Sequence, residues 1–449
     1  MRVLLISPNT LTVPYPVYPL GLDYVAGSIA PEHEVRIADL QTIDRQALAA
    51  LLEAFAPEII GIACRNIDNT DASDPLYFLT GYRELVAWLR QKSTAILVCG
   101  GCGFTIMPER IFAMLGADYG IIGEGERFGL LVDALARRHD PAGIPGVLVA
   151  EGEPAPLPPP WPGTMAREFR HDAEHVGFYL RNGGMLNLQS KRGCSFRCLY
   201  CPYPGIEGRT HRLADPEAVA QTALQLQAAG ANYLFITDSA FNSDVEHSLA
   251  VARALRHAGL AIPWGAFFAP IKLPPNYFTV MAAAGCRHVE FGTESLAGMM
   301  LQTYRKPFQA RDVFIAHKQA RAAGLHVAHY FLLGGPGEST ATIAESLDGI
   351  EQLDKTVCFF FIGIRIYPGT ALYDLALAEG KIDAQTDLLK PLFYEPEAID
   401  REGIAALVKQ RAAGRTNWVI GSGGDAIATV LHTMHQRGYT GPLWEYLAR

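Results

Sequence analysis

The chain has 449 residues, 49% of them hydrophobic and 19% charged, and a formal net charge of −8. That length and apolar content can bury two or three domain cores, and the acidic balance leaves no basic footprint for nucleic acid. Three clustered cysteines and five scattered ones do not make a secreted disulfide framework and fit a reducing cytoplasm, and no apolar run suits a signal peptide or a membrane span.

From the start of the chain, short β-rich runs at 3–6, 35–38, 59–63, 95–99 and 119–122 alternate with helical text at 20–29, 45–55, 76–92, 108–115 and 126–138. Continuous apolar strands separated by helices predict an α/β, doubly wound, Rossmann-like domain over 1–140. Such sheets bind ligands at the carboxyl ends of their strands. Here those ends carry Ser7-Pro8-Asn9, Cys64-Arg65-Asn66, Gly100-Gly101-Cys102 and Gly123-Glu124. No Gly-x-Gly-x-x-Gly follows the first strand, which argues against a dinucleotide. His33 precedes a strand and reads as a surface residue.

Residues 141–182 read as a linker. Within them, 151–163 hold six prolines in thirteen residues, the composition of a stiff connector. A second alternating series follows, with strands near 185–190, 233–237, 264–269, 288–292, 327–333 and 359–366. It predicts a partial (β/α)6 barrel over 183–375, with its active site on the loops at the carboxyl ends. Those loops carry Asp238-Ser239, Glu290 to Ser295, Gly334-Gly335-Pro336-Gly337-Glu338, and Arg365 with Tyr367-Pro368-Gly369-Thr370. Arg365 suits either a buried structural role or a carboxylate clamp. The tail, 376–449, reads as helical, with helices near 404–413 and 426–437. The cluster Gly421-Ser422-Gly423-Gly424 between them is a turn and not a P-loop, because no Lys-Ser/Thr follows.

The first barrel strand leads into Lys191-Arg192-Gly193-Cys194-Ser195-Phe196-Arg197-Cys198-Leu199-Tyr200-Cys201-Pro202. Three thiolates at C-x3-C-x2-C spacing can hold one cubane iron–sulfur cluster and leave one iron open for chemistry. A structural zinc site would need a fourth ligand, for which His211 is the near candidate.

This loop, including Tyr200, resembles the signature of the radical S-adenosylmethionine (radical SAM) superfamily. Asp238-Ser239-Ala240-Phe241, Glu290-Phe291-Gly292-Thr293-Glu294-Ser295, Gly334 to Glu338 and Tyr367 to Thr370 resemble segments of its cobalamin-dependent members. Pro19 to Leu22, His33 to Ile37, Gly100-Gly101 with Pro108-Glu109, and Asp118 to Glu126 are similar to their cobalamin-binding domain. The resemblance implies a [4Fe-4S] cluster on Cys194, Cys198 and Cys201. It implies SAM contacts at Tyr200, Asp238, Ser239, Glu294, Gly334, Gly335 and Arg365. Cobalamin would lie on Ser7, Pro8, Asn9, Arg65, Asn66, Gly100, Gly101, Cys102, Gly123 and Glu124.

Two departures matter. No Asp-x-His-x-x-Gly follows the first strand, so a cobalamin bound here has no histidine ligand below. Ser239 stands where the family has a second aspartate, which puts an acid or metal role there in doubt. The activity implied is methylation of an unactivated carbon of a small molecule or lipid precursor, through a 5′-deoxyadenosyl radical and methylcobalamin. An external donor of flavodoxin or ferredoxin type would supply electrons, and the tail would help to close the barrel. A non-methylating cyclisation or rearrangement, and a non-catalytic cobalamin or iron–sulfur sensor, remain as alternatives.

Overall fold

The computed structural model describes all residues except 13–14, 151–157, 164, 422–423 and 448–449. Part of the proline-rich run, and Ser422 and Gly423 of the glycine cluster, therefore lie outside the described residues.

The first sheet contains β1 (Arg2–Ser7), β2 (Glu34–Asp39), β3 (Ile59–Ala63), β4 (Ile96–Gly100), β5 (Tyr119–Ile121) and β6 (Val147–Val149), in spatial order 2-1-3-4-5-6. All pairings are parallel except β5–β6. Val3, Leu4, Leu5 and Ile6 are all buried because helices cover both faces, which explains a continuous apolar run where a one-faced strand would alternate. Those helices are α1 (Leu20–Ser28), α2 (Arg45–Phe55), α3 (Leu79–Lys92), α4 (Cys102–Ile106), α5 (Pro108–Leu115) and α6 (Arg127–Ala136). Asp44 starts α2 by accepting the Ala47 N–H at 2.8 Å, and Pro108 occupies the first turn of α5.

Two elements fall in the stretch read as a linker. The edge strand β6 is three residues long, too short for its periodicity to register. Helix α7 (Glu174–Arg181) buries Val176 and Tyr179 against the barrel, and the Tyr179 hydroxyl donates to Asp39 at the end of β2.

The second unit contributes β7 (Met185–Leu188), the short hairpin β8 (Lys191–Arg192) and β9 (Arg212–Leu213), then β10 (Tyr233–Ile236) and β11 (Trp264–Phe268). There follow β12 (Cys286–Glu294), β13 (His326–Leu333), β14 (Thr356–Ile362), the pair β15 (Ile364–Arg365) and β16 (Phe393–Tyr394), and β17 (Trp418–Ile420). Seven parallel strands run in the order β7-β10-β11-β12-β13-β14-β17, and the two end strands are not bonded to each other, so the barrel is open. The seventh strand comes from the tail, where six strands and a helical tail were expected. It is again three residues long and pairs Trp418 with Cys358 and Ile420 with Phe360.

Helices α8 (Tyr203–Ile206), α9 (Pro216–Ala228), α10 (Val245–His257), α11 (Tyr277–Ala283), α12 (Gly298–Thr303), α13 (Ala310–Ala322), α14 (Thr340–Ile350), α15 (Ala371–Ala378), α16 (Arg401–Ala412) and α17 (Gly424–Gln436) complete the order. The final turn, Leu443–Leu447, reaches under the barrel, where Glu445 accepts from Tyr233 and Trp444 donates to Glu290. Among the described residues no helix is long and apolar enough to cross a membrane.

Candidate functional site

The cysteine loop leaves the sheet at the carboxyl end of β7, and its path is dictated by Gly193. That residue has φ +85°, and a Cβ there would sit 2.3 Å from the Thr210 carbonyl oxygen. Only glycine fits both the left-handed backbone and the close approach. Beneath the loop, the buried Asp238 carboxylate accepts the Ser190 N–H at 2.8 Å and the Ser190 hydroxyl, and lies 3.6 Å from Lys191 Nζ. Asp238 therefore holds the base of the loop and has little capacity left for SAM. Its neighbour Ser239 differs: the Ser239 Oγ is buried and has no hydrogen-bond partner.

Cys194 is buried, whereas Cys198 and Cys201 are partly exposed. Burial pushes the thiols of Cys198 and Cys201 up, the latter to about 12, and the Lys306 ammonium opposes this. Lys306 Nζ lies 3.7 Å from Cys198 Sγ and 2.8 Å from Glu294 Oε1, and the Tyr200 hydroxyl donates to that same oxygen at 2.8 Å. Burial lowers the Lys306 pKa, but Glu294 beside it more than offsets that and keeps the ammonium charged. Glu294 itself has φ +62°, a strained backbone for a non-glycine residue at a strand exit. Tyr200, Glu294, Lys306 and the cysteines thus form one cluster on the rim.

Gly334 and Gly335 sit on the same rim. Gly335 N donates to the Tyr304 hydroxyl at 3.2 Å, and the Tyr304 carbonyl accepts the Leu199 N–H inside the cysteine loop. Arg365 is placed elsewhere. Its guanidinium donates to Asp68 at 2.9 Å and to the carbonyls of Ile366 and Leu388 at 2.7 Å, and lies over the Tyr367 ring. These contacts speak against the clamp reading: one donor ties Arg365 to Asp68 of the first domain, and the others are engaged by the carbonyls of Ile366, Leu388 and Leu392.

Across from the cysteine loop, Arg65, Asn66, Gly101 and Cys102 converge on the carboxyl edge of the first sheet. A Cβ on Gly101, at φ +111°, would lie 2.9 Å from the Cys64 carbonyl oxygen, and Gly103 N donates to the Arg65 carbonyl. Arg65 and Cys102 are exposed. Gly100 packs on Ile121, and Gly123 N is held by Thr105 Oγ1 at 2.9 Å. Ser7 is buried, while Pro8 and Asn9 line a cavity of about 460 Å³ with Leu11, Asp44, Tyr77 and Tyr82.

Glu124 departs from the expected cobalamin contact. Its carboxylate accepts from Arg192 at 2.8 Å, from Arg212 at 2.6 Å and from the Trp161 N–H. Burial would raise its pKa, but that N–H and the two guanidinium groups hold it low. His33 bonds the N-terminal amine and Asp133, and its side chain is only 7% exposed, so it is tucked against these partners where a surface position was expected.

The donors fit the groups that the sequence implied. Among the described residues no three Cys, His, Asp or Glu side chains converge on a single metal ion, and His211 is turned to Ser243 at 3.1 Å. That goes against zinc, whereas a cubane spreads its thiolates over separate irons. The unpartnered Ser239 Oγ suits a polar ligand beside the cluster, and the Gly101 cradle suits close backbone approach by a large cofactor. Fold and site together define a two-domain radical SAM protein in which a cobalamin-binding sheet faces the cluster loop.

Two family models match the chain: the B12 binding domain over residues 6–130 and the Radical SAM superfamily over residues 188–350. The chain belongs to the radical SAM enzymes that carry a B12-binding domain, and its cofactors are a [4Fe-4S] cluster, SAM and cobalamin. It is 27% identical to tryptophan 2-C-methyltransferase of Streptomyces laurentii, over 82% of this chain and 73% of that protein. It is 24% identical to cytidylyl-2-hydroxyethylphosphonate methyltransferase of Streptomyces wedmorensis, over 90% of this chain and 88% of that one. The radical SAM methyltransferase TsrM of Kitasatospora setae, solved with cobalamin and a [4Fe-4S] cluster, superposes with a TM-score of 0.87 at 23% identity, covering 100% of this chain and 97% of that one. At that identity the match speaks for the fold.

Lys306, Tyr304, Arg192 and Arg212 were not legible as site residues. Lys306 follows a short helix in no motif, and the arginines flank the cysteine loop without any pattern of their own.

Proposed function

We propose that this enzyme transfers a methyl group to a carbon of a small molecule. The observation that carries the reading is the juxtaposition of the two cofactor edges. Helix α4, which begins at Cys102, packs against α8, which follows Cys201. Leu199 and Tyr200 of the cysteine loop share a hydrophobic core with the helices of the first domain. Both relatives described above are named as methyltransferases acting on small molecules.

When bound, the cluster and SAM supply a 5′-deoxyadenosyl radical and cobalamin supplies the methyl group. Cys194, Cys198 and Cys201 hold the cluster. Asp238 fixes the loop base, and Lys306 with Glu294 orients the Tyr200 ring beside it. Ser239 offers its hydroxyl to SAM, and Glu294 lies near enough to the thiols to accept from the SAM amine. Arg65, Asn66, Gly101 and Cys102 line the cobalamin face opposite. Leu199 and the partly buried Tyr200 anchor the cysteine loop in the apolar core shared with the first domain.

The test is anaerobic reconstitution followed by incubation with SAM and reductant. Expected are cluster and cobalamin absorption bands, and S-adenosylhomocysteine formation that depends on added cobalamin. Cys198→Ala should lose the cluster band and all SAM cleavage. Cleavage that survives in each of the three cysteine variants would sink the reading. Formation of 5′-deoxyadenosine alone, without S-adenosylhomocysteine, would favour a non-methylating reaction.

A further inference from the structure

Glu294 holds a left-handed backbone, φ +62°, at the exit of β12. A non-glycine residue keeps such a conformation only where its surroundings over-determine it. The pairing of β12 with β13 slips at this point: Gly292 lies opposite Tyr330 and Glu294 opposite Phe331, so Thr293 is an extra residue. A bulge of this kind re-aims the side chain beside it. Both neighbours of Glu294 are buried and bonded to other elements of the barrel. Thr293 Oγ1 lies 2.7 Å from His329 Nδ1 on β13, and Ser295 Oγ lies 2.7 Å from Ser346 Oγ on α14.

The Thr293 bond is the first link of a longer chain. His329 Nε2 lies 3.1 Å from Nδ1 of His317 on α13, and His317 Nε2 lies 3.4 Å from the exposed Asp354 carboxylate. A carboxylate only accepts, and that orders every link: His317 donates to Asp354, His329 donates to His317, and the Thr293 hydroxyl donates to His329. Burial lowers the pKa of both imidazoles, for His317 against the pull of Asp354, so both are neutral, as this order requires. His329 is fully buried between the rings of Phe291 and Phe331, with centroids at 5.2 and 6.1 Å. An apolar side chain could fill that place without needing partners. Here both ring nitrogens are engaged, one of them on the bulge.

We infer that His329 is a positioning residue for SAM binding: by accepting from Thr293 it holds the β12 bulge, and the bulge aims the Glu294 carboxylate at the rim, where Lys306 and Tyr200 meet it. The inference rests on the reading that Glu294 accepts from the SAM amine, and it adds how that carboxylate is held. Without the Thr293 bond the bulge relaxes and Glu294 loses its aim, although no group that touches SAM has been altered.

The test is SAM binding to the full chain carrying its cluster, by equilibrium dialysis without reductant, with the urea midpoint of each variant measured alongside. Glu294→Gln should weaken SAM about tenfold, the effect of losing a charge-assisted hydrogen bond. Thr293→Val keeps the shape but removes the hydroxyl and should weaken SAM about fivefold, whereas Thr293→Ser keeps the hydroxyl and should change it less than about twofold. His329→Asn sets an acceptor oxygen near the Nδ1 position and should hold SAM within about twofold of wild type. His329→Gln sets its amide near the Nε2 position instead and should weaken SAM about fivefold. Both His329 variants should lower the urea midpoint, so an affinity that follows the Thr293 bond and not the midpoint separates positioning from general stability. Wild-type affinity in Thr293→Val, or an equal loss in Thr293→Ser, would overturn the inference, and this pair decides even where neither histidine variant folds. A loss in Glu294→Gln without one in Thr293→Val refutes the positioning alone. No loss in Glu294→Gln refutes the SAM contact and this inference with it, while S-adenosylhomocysteine formation by the wild-type chain still decides methyl transfer.

Discussion

At the scale of single residues, the rim depends on one buried ion pair. Lys306 and Glu294 have side chains only 7% and 12% exposed, with 2.8 Å between Nζ and Oε1. Tyr200 is positioned by the same oxygen. Removing one member of such a pair strands the other, and the loss is about 3 kcal/mol or more. Lys306→Met should therefore lower the denaturant midpoint and scatter the Tyr200 ring, whereas the double variant Lys306→Met/Glu294→Gln should regain part of that stability. Equal midpoints for the single and double variants would show that the pair is not coupled. Glu294 was legible because acids at barrel strand exits face the site. Lys306 was not, since a lysine after a short helix has no spacing that distinguishes it from any surface lysine. Arg365 shows the converse. A strand-exit arginine looks like a ligand clamp until its donors are followed, and they end on Asp68 and three main-chain carbonyls.

At the scale of elements, long periodic segments declared themselves and short ones did not. The strands β6 and β17 are three residues each, and only their pairing to a neighbour gives them identity. The cysteine loop is the opposite case, because spacing alone conveyed its chemistry, while the need for Gly193 appears only with Thr210 in place. Gly193→Ala adds left-handed strain of about 1–3 kcal/mol to a contact of 2.3 Å. Iron incorporation should fall several-fold while cobalamin binding by the first domain is retained; full iron content would contradict the account. A second element-scale prediction concerns the junction of α1 and α7, where Tyr18 contacts both Asp23 and His175. Burial raises Asp23 to about 6, against the attraction of Arg167, and lowers His175 to about 4. The Asp23 contribution is full below an unfolded value of about 4 and fades as pH rises through 6, whereas the His175 contribution is full above about 6.5 and fades as pH falls through 4. Each amounts to about 3 kcal/mol across its window, with opposite slopes that largely cancel between them. Thermal midpoints should therefore fall more steeply with acid in Asp23→Asn than in wild type, and less steeply in His175→Asn. Parallel profiles for all three proteins would refute the assignment.

At the scale of the whole molecule, two buried charge clusters fix how the cobalamin-binding sheet meets the barrel. One joins Glu124 and Glu126 to Arg192 and Arg212, immediately beside the cysteine loop. The other joins Asp68 to Arg365, with side-chain exposures of 0% and 2%, and adds the Tyr367 hydroxyl at 3.3 Å from Asp68. Neither was legible, because each partner lies in a different domain and hundreds of residues can separate them. Two cofactors can cooperate only if their separation is held constant, so charge pairs at the domain boundary are as much a part of the active site as the thiols. Arg365→Leu leaves Asp68 ionised and without its cation, at a loss of about 3–5 kcal/mol, concentrated at the interface. The expected result is faster proteolysis between the two domains' cores and weaker cobalamin retention, with the SAM dissociation constant changed less than about twofold in chain that stays folded. Asp68→Leu/Arg365→Leu should restore much of the protease resistance, since an apolar pair of similar volume replaces a buried ion pair at little cost. If Arg365 instead clamped the SAM carboxylate, Arg365→Leu would weaken SAM binding at unchanged protease sensitivity, and the second substitution would rescue nothing. The two measurements therefore separate a residue that holds the domains together from one that holds the ligand.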